Sequence, residues 1–317
     1  MPVFKIHHIT RYQYERPVSE SVNEIRIFPF QCAEQEVLQH DLLITNQPEV
    51  HVFSDYWGNK TGLFNILESH QDLTIESKLI VRTTNSSEIN FNVGFNQLKA
   101  DTIQQMQLIE LMRPSIISEQ SKINLINKQL FHPDKPIAKI VEEASEFVFN
   151  NFIYTKGITT IETTIDEILQ HNGGVCQDFA HVLLQILRSL EIPCRYVSGY
   201  ICPNKNGMRG EGATHAWVEA WIPDFGWAGI DPTNNVWVTN NHVKLAVGRS
   251  FSDCTPVKGT FKGPAHQDLY VLVSIGYEDG HVFEETTHVQ LDKQKKSEKE
   301  KSAADLAAIF SSQQQQQ

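Results

Sequence analysis

Two different hydrophobic repeats divide the sequence, and they restrict the folds that it can adopt. From about residue 3 to 95, runs such as VFKIHHITRYQY and DLTIESKLIVRT alternate apolar and polar residues, as half-buried β-strands do. From about residue 97 to 170, runs such as PIAKIVEEASEFVFNNF place apolar residues at helical spacing. The sequence predicts an α+β protein, with an N-terminal antiparallel β-sandwich at residues 1–105 and a second, mixed domain at 106–290. Residues 291–317 are charged and then consist of glutamine, which predicts a partly disordered tail.

Length and charge limit the partners of the chain. At 317 residues it is long enough for about two domains. Its net charge of −11 disfavours nucleic acid or an anionic membrane as the main partner. We therefore expect no nucleic-acid and no membrane partner, and the remaining partners are small molecules, peptides or proteins. The oligomeric state is not predicted.

The N-terminal segment and the cysteines indicate a location. The segment MPVFKIHHITRYQYERP has no basic stretch followed by an apolar run, as an export signal would. No stretch of the sequence reaches the roughly 18 apolar residues of a membrane span. Five cysteines form an odd and sparse set, unlike the dense pattern of a disulfide scaffold. We therefore expect a reducing, cytoplasmic location.

The role of Cys176 has two interpretations, as a packing residue or as a nucleophile. The spacing in GGVCQDFAHVLLQILRSL predicts a helix from Cys176 to Leu190 with Cys176 on its apolar face. Free cysteine is among the most buried residue types, so packing alone could explain it. A place in the first helical turn favours a nucleophile instead, because the unpaired N–H groups and the helix dipole stabilise a thiolate there. The glycine pair before it lets another backbone approach closely.

A base and a carboxylate follow in THAWVEAWIPDFGWAGIDPTNN. This segment predicts two antiparallel strands joined by a hairpin loop at IPDFG. If Trp221 lies opposite Trp227, then His215 and Asp231 lie diagonally on one face, within side-chain reach. Together with Cys176 they would supply a nucleophile, a general base and a carboxylate that orients the base.

Four sequence blocks between about residues 150 and 263 carry a resemblance: GGVCQDFAH, LEIPCRYVSGYI, THAWVEAWIPDFGWAGIDPTNN and GRSFSDCTPVKGTFKG. They resemble the transglutaminase-like superfamily of papain-like cysteine enzymes, in its bacterial branch with a β-rich N-terminal region. SDYWGNKTG in the first domain is similar to that branch as well. The resemblance implies a papain-like core whose nucleophile helix packs on an antiparallel sheet. It also implies that Cys176, His215 and Asp231 are the catalytic residues, and we expect neither a cofactor nor a metal.

Residues near the triad have predicted supporting roles. The backbone N–H of Cys176 would be one donor of an oxyanion hole, and the second donor is left open between Tyr154 and Gln170. Asp178 is expected to cap the helix or to hold a neighbouring loop. Three tryptophans are expected to wall the sheet and to shield the site from water, namely Trp217, Trp221 and Trp227.

The expected substrate is a peptide, a protein or another amide-containing molecule. Attack of a thiolate on an amide forms an acyl-enzyme thioester, which water (peptidase or amidase) or an amine (transglutaminase) then resolves. For an acidic, cytoplasmic chain we favour hydrolysis. A non-catalytic protein-interaction scaffold is an alternative from another class, which a complete triad disfavours. A metal site is a third alternative, disfavoured because the sequence has neither a CxxC pair nor an HExxH helix.

Overall fold

The structure is a computed structural model of the 317-residue chain. It describes residues 1–84, 89, 92–202, 208–210, 213–264, 266–277 and 282–291. Beyond Leu291, the tail predicted at residues 291–317 lies outside the described residues. None of the described helices is both long and apolar enough to cross a membrane.

Strands form both ends of the described chain, and helices lie between them. The first six strands are β1 (Val3–Val18), β2 (Glu20–Ile25), β3 (Gln35–Ile44), β4 (His51–Ser54), β5 (Lys60–Ile66) and β6 (His70–Thr83). A mainly helical part follows, with α1 (Phe95–Gln104), α2 (Met106–Leu111), α3 (Gln120–Leu130), α4 (Ile137–Asn151), β7 (Ile153–Tyr154), α5 (Ile165–His171), β8 (Gly173–Gly174) and α6 (Cys176–Ser189). The remaining elements are β9 (Cys194–Ile201), β10 (Ala213–Ile222), β11 (Gly226–Asp231), β12 (Val236–Trp237), β13 (His242–Gly248), α7 (Phe251–Cys254), β14 (Val257–Lys262), β15 (Gln267–Tyr277) and β16 (Val282–Leu291).

The N-terminal strands lie in two antiparallel sheets that pack face to face, and the predicted β-sandwich is thereby confirmed. One sheet has the strand order β16-β15-β1-β6-β3, and the other has the order β14-β2-β5-β4. Every second residue of β1 from Phe4 to Tyr14 is buried, so one face of this strand is covered along that length. Tyr12 and Tyr14 belong to the apolar core between the two sheets. Phe4 and Ile6 belong to a separate core against the central sheet.

The chain returns to this sandwich at its C-terminal end. Strand β14 pairs with β2, and β15 pairs with β1 along almost its whole length. The sequence placed all of 106–290 in the second domain, whereas the strand pairing puts β14, β15 and β16 with the N-terminal strands. Periodicity could not reveal this, because it identifies a strand without identifying its neighbour. The two parts of the molecule are therefore interleaved along the chain.

The central part is a layer of helices on an antiparallel sheet of order β12-β11-β10-β9-β13. Helix α6 shares an apolar core with Ala216, Val218 and Ala220, which form one face of β10. The other face of the sheet carries Val197, Trp217 and Val247, and it meets Phe30 and Trp57 of the N-terminal part. The expected α+β class, with the candidate nucleophile helix packed on an antiparallel sheet, is confirmed.

Two amide side chains of the N-terminal sandwich bind the edge strand β13 as a neighbouring strand would. Gln35 donates from Nε2 to the carbonyl of Lys244 at 2.8 Å and accepts from its N–H at 2.9 Å. Asn59 donates from Nδ2 to the carbonyl of Val247 and accepts from its N–H, both at 2.8 Å. A buried sheet edge needs partners for its backbone groups. The sandwich supplies them here with side chains.

Candidate active site

The candidate nucleophile follows a close parallel pairing of β7 with β8. Helix α5 ends at His171, and Asn172 caps it in the left-handed conformation (φ 49°, ψ 42°). A Cβ added at Gly173 would lie 2.8 Å from the carbonyl oxygen of Ile153. A Cβ added at Gly174 would overlap the side chain of Asp178. The glycine pair therefore allows the close approach that the sequence predicted.

Asp178 holds the start of α6, as predicted. Its Oδ2 accepts a hydrogen bond from the N–H of Val175 at 2.7 Å and another from the hydroxyl of Thr159 at 2.7 Å. The side chain is buried, and burial raises the pKa of Asp178 although both hydrogen bonds favour its charged form. These contacts hold the loop at Thr159 and the first helical turn together. Cys176, the first residue of α6, lies within that turn.

The hairpin of β10 and β11 brings His215 and Asp231 together. Trp221 pairs with Trp227 across the hairpin, which confirms the predicted register. Both side chains of the His–Asp pair are fully buried. The Nε2 of His215 lies 2.8 Å from Oδ2 of Asp231, a hydrogen-bond distance. This bond leaves Nδ1 as the ring nitrogen that can exchange a proton with another group.

Cys176 interacts with His215 at the ends of their two elements. Helix α6 packs on the alanine face of β10, whereas His215 and Trp217 point from the opposite face. Cys176 is the first residue of α6 and His215 is the third of β10, and the thiol lies near enough to the imidazole to help raise the pKa of His215. Nδ1 of His215 has no hydrogen bond of standard geometry, so this contact is looser than the bond to Asp231. Such looseness is common in substrate-free cysteine and serine sites.

The charges of the pair stabilise each other. Burial disfavours a charged imidazole, but Asp231 and Cys176 outweigh burial and raise the pKa of His215 well above its usual value. Burial would likewise raise the pKa of Asp231, but His215, with a smaller contribution from His242, lowers it far below its usual value. The site therefore favours an imidazolium next to a carboxylate, and that cation can stabilise a thiolate at Cys176.

Two further side chains hold Asp231, and neither was singled out in the sequence. Asn234 donates from Nδ2 to Oδ2 of Asp231 at 2.7 Å. Nε2 of the buried His242 lies 3.5 Å from the same oxygen. The N–H of Thr233 donates to Oδ1 at 2.9 Å. The motif DPTNN contained a signal for Asn234, because the residue lies three positions after the aspartate at a turn. His242 carried no such signal, since it reaches the site from the edge strand β13.

The three tryptophans have different positions. The ring of Trp217 lies parallel to that of His215, with 6.4 Å between ring centroids and 28° between planes. Trp217 belongs to a small buried cluster with Val197 and Val247, and Trp57 of the sandwich packs against this cluster. Trp221 and Trp227 form an edge-to-face pair with a centroid distance of 5.3 Å. Trp221 lies six residues further along β10 than His215, about 20 Å away at the usual rise of a strand. The expected shielding of the site applies to Trp217, and the other two wall the far end of the hairpin.

The second oxyanion donor stays a prediction, but the two candidates differ in placement. Tyr154 lies on β7 and pairs with Gly174, two residues before Cys176. Its half-buried ring packs edge to face on Phe179 of α6. Gln170 is exposed on α5. Placement therefore favours Tyr154.

The other cysteines are unsuited to be nucleophiles. Cys194, Cys202 and Cys254 are buried, and Cys32 is half-buried. Burial raises the pKa of Cys32 and of Cys194 to about 11, and raises those of Cys202 and Cys254 well above the usual value. Their thiolates are therefore scarce at neutral pH.

Comparisons with known proteins match both parts of the molecule. The family model of the bacterial transglutaminase-like N-terminal region matches residues 4–82, and that of the transglutaminase-like superfamily matches residues 126–232. The uncharacterized protein ML0607 of Mycobacterium leprae is 31% identical over 275 residues, which cover 86% of this chain and 97% of the relative. A protein-glutamine gamma-glutamyltransferase of Pseudomonas aeruginosa is 33% identical over 109 residues, 32% of this chain and 16% of the relative.

A solved structure shares the fold over nearly the whole chain. It is that of a "Putative Cysteine Protease" from Cytophaga hutchinsonii, with a TM-score of 0.66 and 23% sequence identity. The match covers 92% of this chain and 92% of that chain. The N-terminal sandwich and the central helix-and-sheet layer therefore occur together in that protein too.

Proposed function

The chain belongs to the transglutaminase-like superfamily, and from this premise we propose that it is a cysteine acyl-transfer enzyme that hydrolyses peptide or amide bonds. The observation that carries the proposal is the buried hydrogen bond of 2.8 Å between His215 and Asp231, which leaves Nδ1 to serve the thiol of Cys176. Cys176 stands at the first position of a helix, where backbone N–H groups and an imidazolium both favour a thiolate.

The reaction follows from these positions. The thiolate of Cys176 attacks the amide carbonyl carbon, and the resulting oxyanion accepts a hydrogen bond from the backbone N–H of Cys176. Nδ1 of His215 donates its proton to the leaving nitrogen as the C–N bond breaks, and a thioester and a free amine result. Water then attacks the thioester carbon while Nδ1 takes up a proton. The carboxylic acid leaves, and the thiolate is restored.

Asp231 keeps His215 in the productive state throughout the cycle. Its carboxylate binds Nε2–H, so the proton that moves is the one on Nδ1. The same carboxylate stabilises the imidazolium that exists before acylation and again when water is deprotonated. Because the pair is fully buried, its attraction is weakly screened by solvent. Asp231 itself stays charged.

Transfer to an amine is the second candidate. It is supported by the partial sequence match to the protein-glutamine gamma-glutamyltransferase of Pseudomonas aeruginosa. Both reactions pass through the same thioester, so they differ only in the acceptor. Hydrolysis is the leading proposal because water needs no binding site of its own, whereas transfer needs a site for the amine.

Mass spectrometry of reaction products tests the proposal. The protein is incubated with a library of peptide amides, with and without an added primary amine. Free acids in both incubations support hydrolysis, and amine adducts support transfer. Cys176→Ala is the control, and products that persist in this variant would contradict the acyl-thioester mechanism. A biological effect that this variant fully retains would instead support a non-catalytic scaffold.

A further inference from the structure

We propose that Asn234 is a positioning residue. Its side chain holds the two groups that lie next to the ring nitrogens of His215, namely Asp231 at Nε2 and the segment Arg209–Gly210 at Nδ1. This inference rests on the proposed function, because it assigns Asn234 a role in aligning the candidate triad.

The amide of Asn234 makes three hydrogen bonds. Nδ2 donates to Oδ2 of Asp231 at 2.7 Å and to the carbonyl of Arg209 at 3.2 Å. Oδ1 accepts from the N–H of Arg209 at 2.7 Å. Both hydrogens of the amide and its oxygen are therefore used, and the donor and acceptor pattern fixes which way the amide points. No other orientation satisfies both a carboxylate and a backbone N–H.

The segment that Asn234 holds lies at the catalytic side of His215. Gly210 follows Arg209 directly, and a Cβ added at Gly210 would lie 3.0 Å from Nδ1 of His215 and 3.5 Å from its Cε1. Gly210 has a φ of 80°, which glycine adopts without strain. The backbone of this residue thus lies beside the nitrogen that faces the thiol.

Arg209 adds two contacts that keep the segment in place. Its guanidinium lies over the ring of Phe149, 4.5 Å from the centroid, and Nη1 donates to the carbonyl of Thr233 at 3.4 Å. The side chain itself is exposed. Thr233 lies in the same turn as Asn234. The segment is therefore bound to the turn through both its backbone and its side chain.

One amide thus connects the groups at the two ring nitrogens. Nε2 is held by Asp231, to which Asn234 donates, and Nδ1 is bordered by Gly210, whose neighbour Asn234 binds. The imidazole is therefore confined at both nitrogens, by a hydrogen bond at Nε2 and by the adjacent backbone of Gly210 at Nδ1. A small displacement of such a group lowers the rate of proton transfer steeply. Asn234 acts through Asp231 and Gly210, and it does not itself contact Cys176 in the structure.

Asn234→Asp and Asn235→Asp form a matched pair for the test. Both add one charge to adjacent residues of the same turn. Only the first loses the donations to Asp231 and Arg209 and places an oxygen against the carboxylate. The rate of alkylation of Cys176 by iodoacetamide is measured at pH 7 and located by mass spectrometry. We expect a roughly 10- to 100-fold slower rate in Asn234→Asp, as misplacement of a reacting group costs. Equal rates in the two variants would overturn the proposal.

Asn234→Ala keeps the test decisive if the added charge prevents folding. It changes no charge, so a preference for iodoacetate over iodoacetamide reports whether the imidazolium still lies beside the thiol. We expect this preference to fall together with the alkylation rate. A slower rate with an unchanged preference would show a general structural effect and would contradict the positioning role.

Cleavage by trypsin after Arg209 reports on the link independently of activity. We expect faster cleavage of the Arg209–Gly210 bond in Asn234→Ala than in the unaltered chain, because two backbone hydrogen bonds are lost. Faster cleavage with an unchanged alkylation rate would reduce Asn234 to an anchor of the segment and overturn the catalytic part. If Cys176 of the unaltered chain resists alkylation altogether, the proposed function fails, and cleavage still decides whether the link exists.

Discussion

Asp231 is a buried charge that hydrogen bonds stabilise. A carboxylate removed from water is costly unless donors replace the lost hydration. Here Oδ2 receives hydrogen bonds from His215 and Asn234, and Oδ1 receives one from the N–H of Thr233. His242 is the fourth neighbour, since its Nε2 lies 3.5 Å from Oδ2, and its Nδ1 lies 3.4 Å from the backbone nitrogen of Thr239. The surroundings of Asp231 therefore favour the charged form of its carboxyl group.

Replacement of Asp231 by asparagine tests the importance of that charge. We expect Asp231→Asn to lower the rate of thioester formation on the order of 10³-fold or more, because the amide no longer selects the tautomer of His215 or stabilises its cation. Single-turnover kinetics with an active peptide amide provide the measurement. Asp224→Asn is the matched control, since Asp224 is exposed in the loop of the same hairpin. Similar rates in both variants would contradict the assigned role.

The start of α6 is the element on which the site depends most. Its first turn is joined to the loop at Thr159 and to the strand pair of β7 and β8 by the side chain of Asp178 and by two glycines. Packing explains the body of the helix, which is buried without interruption from Val182 to Arg188. The position of Cys176 is set by this local arrangement.

The contacts of Asp178 can be separated by two substitutions. Asp178→Ala leaves the N–H of Val175 without its acceptor, so we expect a loss of about 1–3 kcal/mol in the free energy of unfolding. Thr159→Val removes only the second donor and is expected to cost about 1 kcal/mol. Urea unfolding measures both values, and alkylation of Cys176 should slow in parallel. A greater loss in Thr159→Val than in Asp178→Ala would contradict a capping role.

At the level of the whole molecule, the sandwich is an integral partner of the central sheet. Gln35 and Asn59 bind the edge of β13, and Trp57 packs against the buried cluster that contains Trp217, whose ring lies parallel to that of His215. The C-terminal strands complete both sheets of the sandwich. The chain passes from the sandwich into the central part and then back into the sandwich. We therefore expect the described chain to unfold as one cooperative unit.

Gln35→Ala tests the binding of the edge strand. Both backbone groups of Lys244 would lose their partner, so we expect a loss of about 2–3 kcal/mol in the free energy of unfolding. Gln39→Ala, on the exposed side of the same strand β3, is the control and should change stability by no more than about 0.5 kcal/mol. Equal effects in urea unfolding would show that the edge of β13 needs no side-chain partner.

His8 makes stability depend on pH. It lies between the sandwich and the central sheet, where Nδ1 bonds the hydroxyl of Tyr200 at 2.7 Å. Burial, with a smaller contribution from His7, lowers the pKa of His8 to about 4. His8 therefore takes up a proton below about pH 6.5 in the unfolded chain, but only below about pH 4 in the folded chain. Stability from this group is complete above pH 6.5 and is lost as the pH falls.

The size of this effect can be measured. When the pH falls from 6.5 to 5, His8 should lower the free energy of unfolding by about 2 kcal/mol. We expect His8→Gln to remove that part of the pH dependence, while the exposed His51→Gln leaves it unchanged. Urea unfolding at the two pH values gives the comparison. An unaltered pH dependence in His8→Gln would contradict a neutral buried ring.

Local patterns in the sequence were sufficient for much of this protein. Helix α6, the cap by Asp178 and the pairing of Trp221 with Trp227 depend on neighbours within a few residues or within one hairpin, so spacing and turn chemistry could predict them. Burial of alternate residues in β1 follows from the same logic. The identities of Cys176, His215 and Asp231 as candidates also came from the sequence.

Tertiary structure decided what surrounds those candidates. His242 reaches Asp231 from another strand, Gly210 lies beside His215 through the link by Asn234, and β14 and β15 pair with strands that precede them by more than 200 positions. No local repeat records such pairings, because hydrophobic burial has no direction and hydrogen bonds between distant strands form only once the sheets assemble. The chemistry available at Cys176 is therefore set by side-chain types that the sequence displays and by long-range packing that it does not.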